Sequence, residues 1–357
     1  MIKKGSLITI DLLRAAAALG VFYYHQHVGS LLAKYTRWQA LAHTDNFGAT
    51  YAVPLFFLLS GYCIHLSNLK YLQANKPLPL KEYYIARFLR IYPPYLFALL
   101  FAIAVQYFTY GKSPSTGDFL WHLLALQGFS SAYFNTINAV LWTITVEIAF
   151  YLIYPLFYAV RQKGSLTKAL IFTFIVSVTS ILICSYHDGL TFPTRFLITN
   201  LWFAWCWGAY LADNDQPLCL HLQKPWFLAF NLLVIVAFAA IRIIPDNLPI
   251  VFDQLNILIW TLPFLWVISN EQWIRSHSSL PVRIFSAIGL SSYSLYLLHQ
   301  PLIILKNYLT HRFVPEPLQL PVLSAGIVAI PAICWLSFKY IETPFTKRKK
   351  VLATTAA

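Results

Sequence analysis

The chain has 357 residues, 58% of them hydrophobic and only 11% charged, with a mean hydropathy of +0.60. About a quarter of a soluble domain's residues are charged, so this supply cannot cover a water-facing surface, and the long unbroken apolar runs are not the ten-residue alternation of a membrane barrel. The net charge of +13 comes from basic residues scattered through short loops; with no basic domain and no nucleic-acid motif, it reads as a topology signal and excludes a nucleic-acid partner.

In chain order the apolar segments fall near 7–28, 48–68, 91–110, 118–134, 139–160, 168–186, 192–212, 225–243, 254–269, 284–304 and 319–341. Lys3 and Lys4 precede the first in the manner of a signal peptide. Asp11 and Arg14 interrupt that run, however, and Tyr23, Tyr24 and His25 stand where small cleavage-site residues would be, so an uncleaved first helix is expected. The fourth segment is short and holds His122, Gln127 and Gly128. If it does not cross and the N-terminus is cytoplasmic, the inner side receives 18 of the 26 basic residues. These are Lys3, Lys4, the five from Lys70 to Arg90, Arg161, Lys163, Lys168, Lys224, Arg275, Arg283, Lys339 and Lys347 to Lys350. Seven fall outside and Arg14 lies within the first helix. Were the fourth segment to cross, the basic tail would be placed outside, against the positive-inside bias. The expected fold is an all-α integral membrane protein, a bundle of about ten transmembrane helices plus a short re-entrant or interfacial segment near 118–134. Residues 1–346 form one membrane domain and 347–357 a short basic cytoplasmic tail, with both termini cytoplasmic. The inner stretch from Tyr71 to Arg90 is mildly amphipathic and is expected to lie partly along the membrane surface.

Ionisable groups at membrane depth are costly and mark candidate sites. The first helix carries Asp11, Arg14 and His25. At 100° per residue Arg14 and His25 differ by about 20° around the axis, with Asp11 within about 60° of both, and the rise between Arg14 and His25 is about 16 Å. One polar stripe therefore marks two levels of a cavity, with Asp11 able to pair with Arg14; anchoring at the two interfaces is the other reading. Glu147 is the single charge in the run from Ala139 to Val160, following Trp142 and Thr143, and a carboxylate there orients a histidine, binds a hydroxyl or ties helices together. Arg87 and Arg90, one turn apart before Tyr92-Pro93-Pro94, can grip a phosphate or touch lipid headgroups. Ser60-Gly61-Tyr62 interrupts the second helix at a residue that permits close backbone approach, and Tyr293 and His299 lie in a polar string that ends at Pro301. The five cysteines, Cys63, Cys184, Cys206, Cys219 and Cys334, form no CxxC pair, so neither a disulfide framework nor a metal site is expected.

Taken together these strings resemble the acyltransferase 3 family of integral membrane O-acyltransferases, over nearly the whole chain. The carrying residues are Arg14 with His25, Val53 to Tyr62, Arg87-Phe88-Leu89-Arg90-Ile91-Tyr92-Pro93, Trp142 to Glu147 with Phe150-Tyr151, Ser292 to Pro301, and Ile341-Glu342-Thr343-Pro344-Phe345. The esterase-like C-terminal domain of many relatives is absent from the sequence, so any second step in acyl delivery is expected from this chain or another protein.

The resemblance implies transfer of an acyl group, usually acetyl, from acetyl-CoA or another acyl-CoA to a hydroxyl of a cell-envelope polysaccharide or glycolipid such as lipopolysaccharide O-antigen. It also implies a multi-pass protein of the inner (plasma) membrane of a bacterium, with membrane lipids, acyl-CoA and a carbohydrate acceptor as partners. On this reading His25 is the general base, Glu147 orients an imidazole, and Arg14 binds donor phosphate or the developing oxyanion. Arg87 and Arg90 hold the phosphates of coenzyme A, while Asp11, Ser60, Tyr62, Trp142, Thr143, Tyr293 and His299 line the cavity. A route through an acylated His25 is also open. A transporter for a small anionic or sugar substrate is the competing class, since a polar stripe, a broken helix and a buried carboxylate also describe a transport pathway.

Overall fold

The computed structural model describes residues 7–189, 193–222, 229, 233 and 251–346. Lys3, Lys4, Lys224, nearly all of the segment 225–243 and the basic tail 347–357 lie outside the described residues. Every regular element among the described residues is a helix. In chain order these are α1 (Ile8–Gln26), α2 (Val28–Thr36), α3 (Asp45–Gln73), α4 (Leu80–Tyr110), α5 (Thr116–Leu123), α6 (Trp142–Lys163), α7 (Leu166–Asp188) and α8 (Ile198–Leu222). They continue with α9 (Val251–Ser269), α10 (Glu271–Ser276), α11 (Leu280–Leu290), α12 (Ser292–Phe313) and α13 (Glu316–Ser337), the last followed by a π-helical turn over Phe338–Glu342.

Among the described residues five helical stretches are long and apolar enough to cross a membrane: Ala52–Gln73, Leu80–Tyr110, Trp142–Lys163, Leu166–His187 and Glu316–Thr346. The pair α11 and α12, interrupted at Ser291, makes a sixth if taken as one broken span. α1 is long enough but carries Asp11, Arg14 and His25, which lower its apolarity. The fourth apolar segment is not one helix. It forms α5, eight residues long, and a 3-10 turn over Gln127–Phe129; eight residues rise about 12 Å, less than half of a hydrocarbon core about 30 Å thick. The stretch from Tyr71 to Arg90 departs from the expected surface-lying loop. α3 runs on to Gln73, α4 begins at Leu80, and Arg87 and Arg90 ride inside one 31-residue helix. Such a helix is about 46 Å long, so its ends extend past the hydrocarbon. Local chemistry sets several boundaries. Ser115 and Ser165 accept the backbone N–H of Asp118 (3.1 Å) and Lys168 (3.2 Å) as N-caps, and Gly111 and Gly189 close α4 and α7 in the left-handed region.

The described chain divides into two compact units, and α1, α3, α6 and α11 contribute residues to each. The first unit comprises Met1–Ala17, Thr50–Leu78 and Tyr154–Gly289. Its core packs Ile10, Leu13, Leu58, Tyr62, Leu211 and Phe264. Backbones approach closely here. A Cβ on Gly61 would lie 1.9 Å from the Trp205 carbonyl oxygen, and one on Gly208 would lie 2.1 Å from that of Leu58. Small residues at such crossings let transmembrane helices meet without a hydrophobic driving force. A Gly61→Leu protein should therefore lose folded yield, and Gly61→Ala should melt lower in detergent, at a cost of about 1–3 kcal/mol or more. Unchanged melting of both would remove the close crossing from the account.

The start of α1 is capped from 262 residues away. Glu271 accepts the backbone N–H of Ile8 (3.2 Å) and Thr9 (3.0 Å) and the Thr9 hydroxyl (2.7 Å), and it also receives the guanidinium of Arg275. Burial pushes this carboxyl upward, but the hydrogen bonds from Thr9, Arg275 and Ile8 outweigh it and hold Glu271 below the ordinary carboxylate value of 4.5. A depressed folded value means stability present above that ordinary value and lost as pH falls through the folded one. Thermal melting of Glu271→Gln should accordingly show a weaker acid dependence than wild type, and identical profiles would dismiss the cap as a pH-linked element.

The second unit comprises Ala18–Ala49, Pro79–Ile153 and Leu290–Ala357. Asp45 caps α2 through the N–H of Gly29 (2.7 Å) and Ser30 (3.1 Å). The fourth segment is strapped to the start of α6: the Gln127 amide donates to the Leu141 carbonyl (2.7 Å) and the Gly128 N–H to the Thr145 hydroxyl (3.1 Å). A side chain at Gly128 would meet Thr145 and the Trp142 carbonyl within 3 Å. α6 and the segment just before it are in turn tied to α12, since Asn138 donates to the Leu297 carbonyl (3.0 Å) and the hydroxyls of Thr143 and Tyr296 bond at 2.9 Å.

Candidate active site

In the first unit the lower part of the α1 stripe is an ion pair. Arg14 stands 3.7 Å from the carboxylate of Asp11, its i−3 neighbour, and also donates to Cys63 Sγ at 3.3 Å. Asp11 is buried, and Gly289 lets α11 press on its backbone, because a Cβ there would lie 1.7 Å from the Asp11 carbonyl oxygen. Ser60 accepts the indole N–H of Trp205 (3.0 Å), and Tyr62 is fully buried with its ring 4.9 Å from that of Phe264. Both follow from the close crossing at Gly61 and hold α3 in place.

In the second unit two clusters form. One gathers histidines. α1 carries His25 and α12 carries His299, and their ring centroids are 5.1 Å apart. Gln300 brings its amide nitrogen to 3.0 Å from His25 Nδ1. His299 is fully buried, and its Nδ1 lies 3.0 Å from the Leu295 carbonyl and 2.8 Å from that of Tyr296. Both partners only accept, so Nδ1 bears the proton and Nε2 keeps a lone pair.

The other cluster gathers the arginine motif and the α6 carboxylate. Arg87 is only 8% exposed, and its guanidinium lies 5.6 Å from the ring centres of both Tyr83 and Tyr151. The Tyr151 hydroxyl donates to Glu147, one turn away on α6. Tyr83 in turn donates to the Tyr151 carbonyl (3.1 Å), which locks α4 to α6. Arg90 is half-buried on the same helix as Arg87, near enough to Tyr151 to act on it electrostatically. Tyr293 donates to the Ile91 carbonyl at 3.0 Å, one residue beyond Arg90. Trp142 stacks on Phe134 with ring centres 5.3 Å apart. The structure thus gives the two expected partners separate neighbours: His25 bonds to Gln300, and Glu147 receives Tyr151.

The order of these motifs is that of a known family, and its acyltransferase-domain profile matches residues 7–336. The chain belongs to the acyltransferase 3 family. It is similar over 95% of its length to a Staphylococcus aureus (strain COL) protein named "Putative O-acetyltransferase", with 25% identity. Across the same share of the chain it is 23% identical to a peptidoglycan O-acetyltransferase of Listeria monocytogenes. An acyltransferase of Streptomyces mycarofaciens is 29% identical over 55% of the chain and 51% of its own length. The chain spans little more than half of these relatives, 57% of the first and 56% of the second. No solved structure matches significantly. Membership agrees with the apolar helices in making this an integral membrane protein.

Three residues of these clusters were not singled out from the sequence as site residues. Gln300 stands next to His299, but no spacing rule says that its amide reaches the first helix. Tyr151 belongs to a string that carries the family resemblance, but nothing in that string says that its hydroxyl bonds Glu147. Glu342 carries the same signal as Glu147, a lone carboxylate after a long apolar run, and the structure buries it as acceptor of the Ser294 hydroxyl at 2.8 Å. Metal ligation has no support among the described residues, where no group of three His, Cys, Asp or Glu side chains converges.

Proposed function

We propose that this chain is a multi-pass membrane O-acyltransferase. It moves an acyl group, most simply acetyl, from an acyl-CoA thioester to a hydroxyl of a cell-envelope polysaccharide or glycolipid such as lipopolysaccharide O-antigen. The observation that carries the reading is the paired imidazoles of His25 and His299 in a chain that matches an acyltransferase domain from residue 7 to residue 336. The relative named as a peptidoglycan O-acetyltransferase supports a glycan acceptor.

His25 acts as general base. It takes the proton of the sugar hydroxyl as that oxygen attacks the thioester carbonyl, and it returns the proton to the departing thiolate. Arg87 and Arg90 hold donor phosphate. An arginine already desolvated between two tyrosine rings suits an anion entering the protein better than it suits a lipid headgroup outside. Glu147, through Tyr151, fixes the wall against which Arg87 rests. His299, Thr143, Tyr293 and Trp142 shape the acceptor side.

The same reading includes about ten spans, a re-entrant or interfacial fourth segment and both termini in the cytoplasm of a bacterial inner membrane. The shortness of α5 supports it. Reporters active only in the cytoplasm, fused after Lys163 and at the C-terminus, should both give signal, and a C-terminus reachable only from outside would overturn the topology. For the activity, envelope glycans from cells with and without the protein are compared by mass spectrometry before and after mild base. An ester mass that appears only with the protein and is released by base is the expected result. Identical glycans, with the protein present in the membrane, would sink the reading.

A further inference from the structure

We propose that Gln300 is the positioning residue that decides which nitrogen of His25 is basic. The inference rests on the acyl-transfer reading above. An imidazole in water exchanges freely between its two neutral tautomers, and a general base must keep its lone pair on the nitrogen that faces the reacting hydroxyl. In this site Nδ1 of His25 is occupied, because the Gln300 amide nitrogen lies 3.0 Å away. With that end of the amide in place, Nδ1 accepts and the imidazole proton sits on Nε2, which then has no lone pair for a hydroxyl. A half-turn about the last side-chain bond brings the amide oxygen to the same place. The oxygen accepts, Nδ1 carries the proton, and Nε2 becomes the base. The two ends of the amide are nearly isosteric, so the exchange needs no other movement.

The neighbouring imidazole has no such choice. Two backbone carbonyls, at 3.0 and 2.8 Å, hold the proton on His299 Nδ1. Its Nε2 is buried and has no hydrogen-bond partner among the described residues. With His299 fixed and His25 adjustable, the Gln300 amide is the contact that selects the reactive tautomer. Residue 300 has to be one that can accept, and acyl transfer uses the orientation in which its oxygen faces Nδ1.

The test compares Gln300→Met, which can neither donate nor accept effectively, with Gln300→Glu, whose carboxylate only accepts. Purified proteins in lipid vesicles are assayed with acetyl-CoA and the acceptor identified from the glycan comparison. Gln300→Met should lose several-fold in kcat, because an untethered imidazole divides between its two tautomers and only one is reactive, with an unchanged KM for acetyl-CoA. Gln300→Glu should recover most of that loss. A Met variant at wild-type kcat, or a Glu variant no better than Met, would overturn the assignment. A purely structural role would lower the melting temperature without that rescue. The nitrogen chemical shifts of 15N-histidine, with His25 assigned by difference from His25→Ala, read the tautomer without any turnover. Gln300→Glu should hold His25 in the Nδ1–H form and Gln300→Met should leave a mixture. The same tautomer population in all three proteins refutes the proposal even where the acyl-transfer reading itself fails for lack of wild-type activity.

Discussion

A His25→Ala protein is expected to insert and fold normally and to lose about 10²–10⁴-fold in acyl transfer, the usual contribution of a positioned acid–base group. Insertion should survive because the substitution makes the end of α1 more apolar. Folding should survive because the side chain's contacts are few: the Gln300 amide, the His299 ring and the ring of Tyr24 at 4.8 Å. The loss should fall on kcat, since the role is to take a proton in the transition state and not to bind either substrate. Acetyl-CoA affinity of the variant, measured separately, should therefore match wild type. A well-expressed His25→Ala protein with near-normal turnover would remove His25 from the chemistry. His299, whose Nε2 already holds a lone pair, would then be the next base to examine by the same substitution.

How much of this was legible beforehand depended on whether the signal was local. Apolar runs declared the helices, since a segment that cannot face water has few other ways to satisfy its backbone. The fourth segment declared itself too short through its length and its polar His122 and Gln127, and the structure breaks it into α5 and a separate turn. Charges at membrane depth pointed to Asp11, Arg14, His25 and Glu147 because burying them is costly wherever they sit. The Asp11–Arg14 pair was legible, since residues i and i+3 meet on one helix; contacts between distant parts of the chain were not. Glu271 caps α1 from 262 residues away, Trp205 answers Ser60 and Gly61 across a helix crossing, and Gln300 reaches His25 from the far end of the chain. Each of these pairings is set by tertiary packing, on which periodicity is silent. The stretch before Arg90 misled for a related reason. Its mild amphipathicity suggested a stretch lying partly along the membrane surface, yet Tyr83 and Arg87, one turn apart on α4, gain an aromatic and cationic stack with Tyr151 that fixes this part of the helix against α6.

That stack leads to the second large effect. Arg87→Ala combined with Arg90→Ala should weaken acyl-CoA binding by roughly 10²–10⁴-fold, taking about 1.5–3 kcal/mol for each charge-assisted hydrogen bond removed. The alternative, a lipid-facing anchor, calls for exposed guanidinium groups, whereas Arg87 is 8% exposed between two tyrosine rings. Loss of a buried cation also disturbs packing, so the melting temperature of each variant has to accompany the binding data. Arg87→Lys separates the two effects, because it keeps the charge and most of the volume but gives up the planar fork that meets phosphate at two points. It should melt near wild type and still bind acyl-CoA less well. A truncated donor sharpens the test further. Acetyl-pantetheine carries the same thioester without the nucleotide and its phosphates, so wild type and the double variant should use it about equally poorly. The acceptor KM should stay the same throughout. Should the double variant bind acetyl-CoA as tightly as wild type, or lose acetyl-pantetheine and acetyl-CoA turnover to the same degree, the arginine pair is structural and the donor phosphates are held elsewhere.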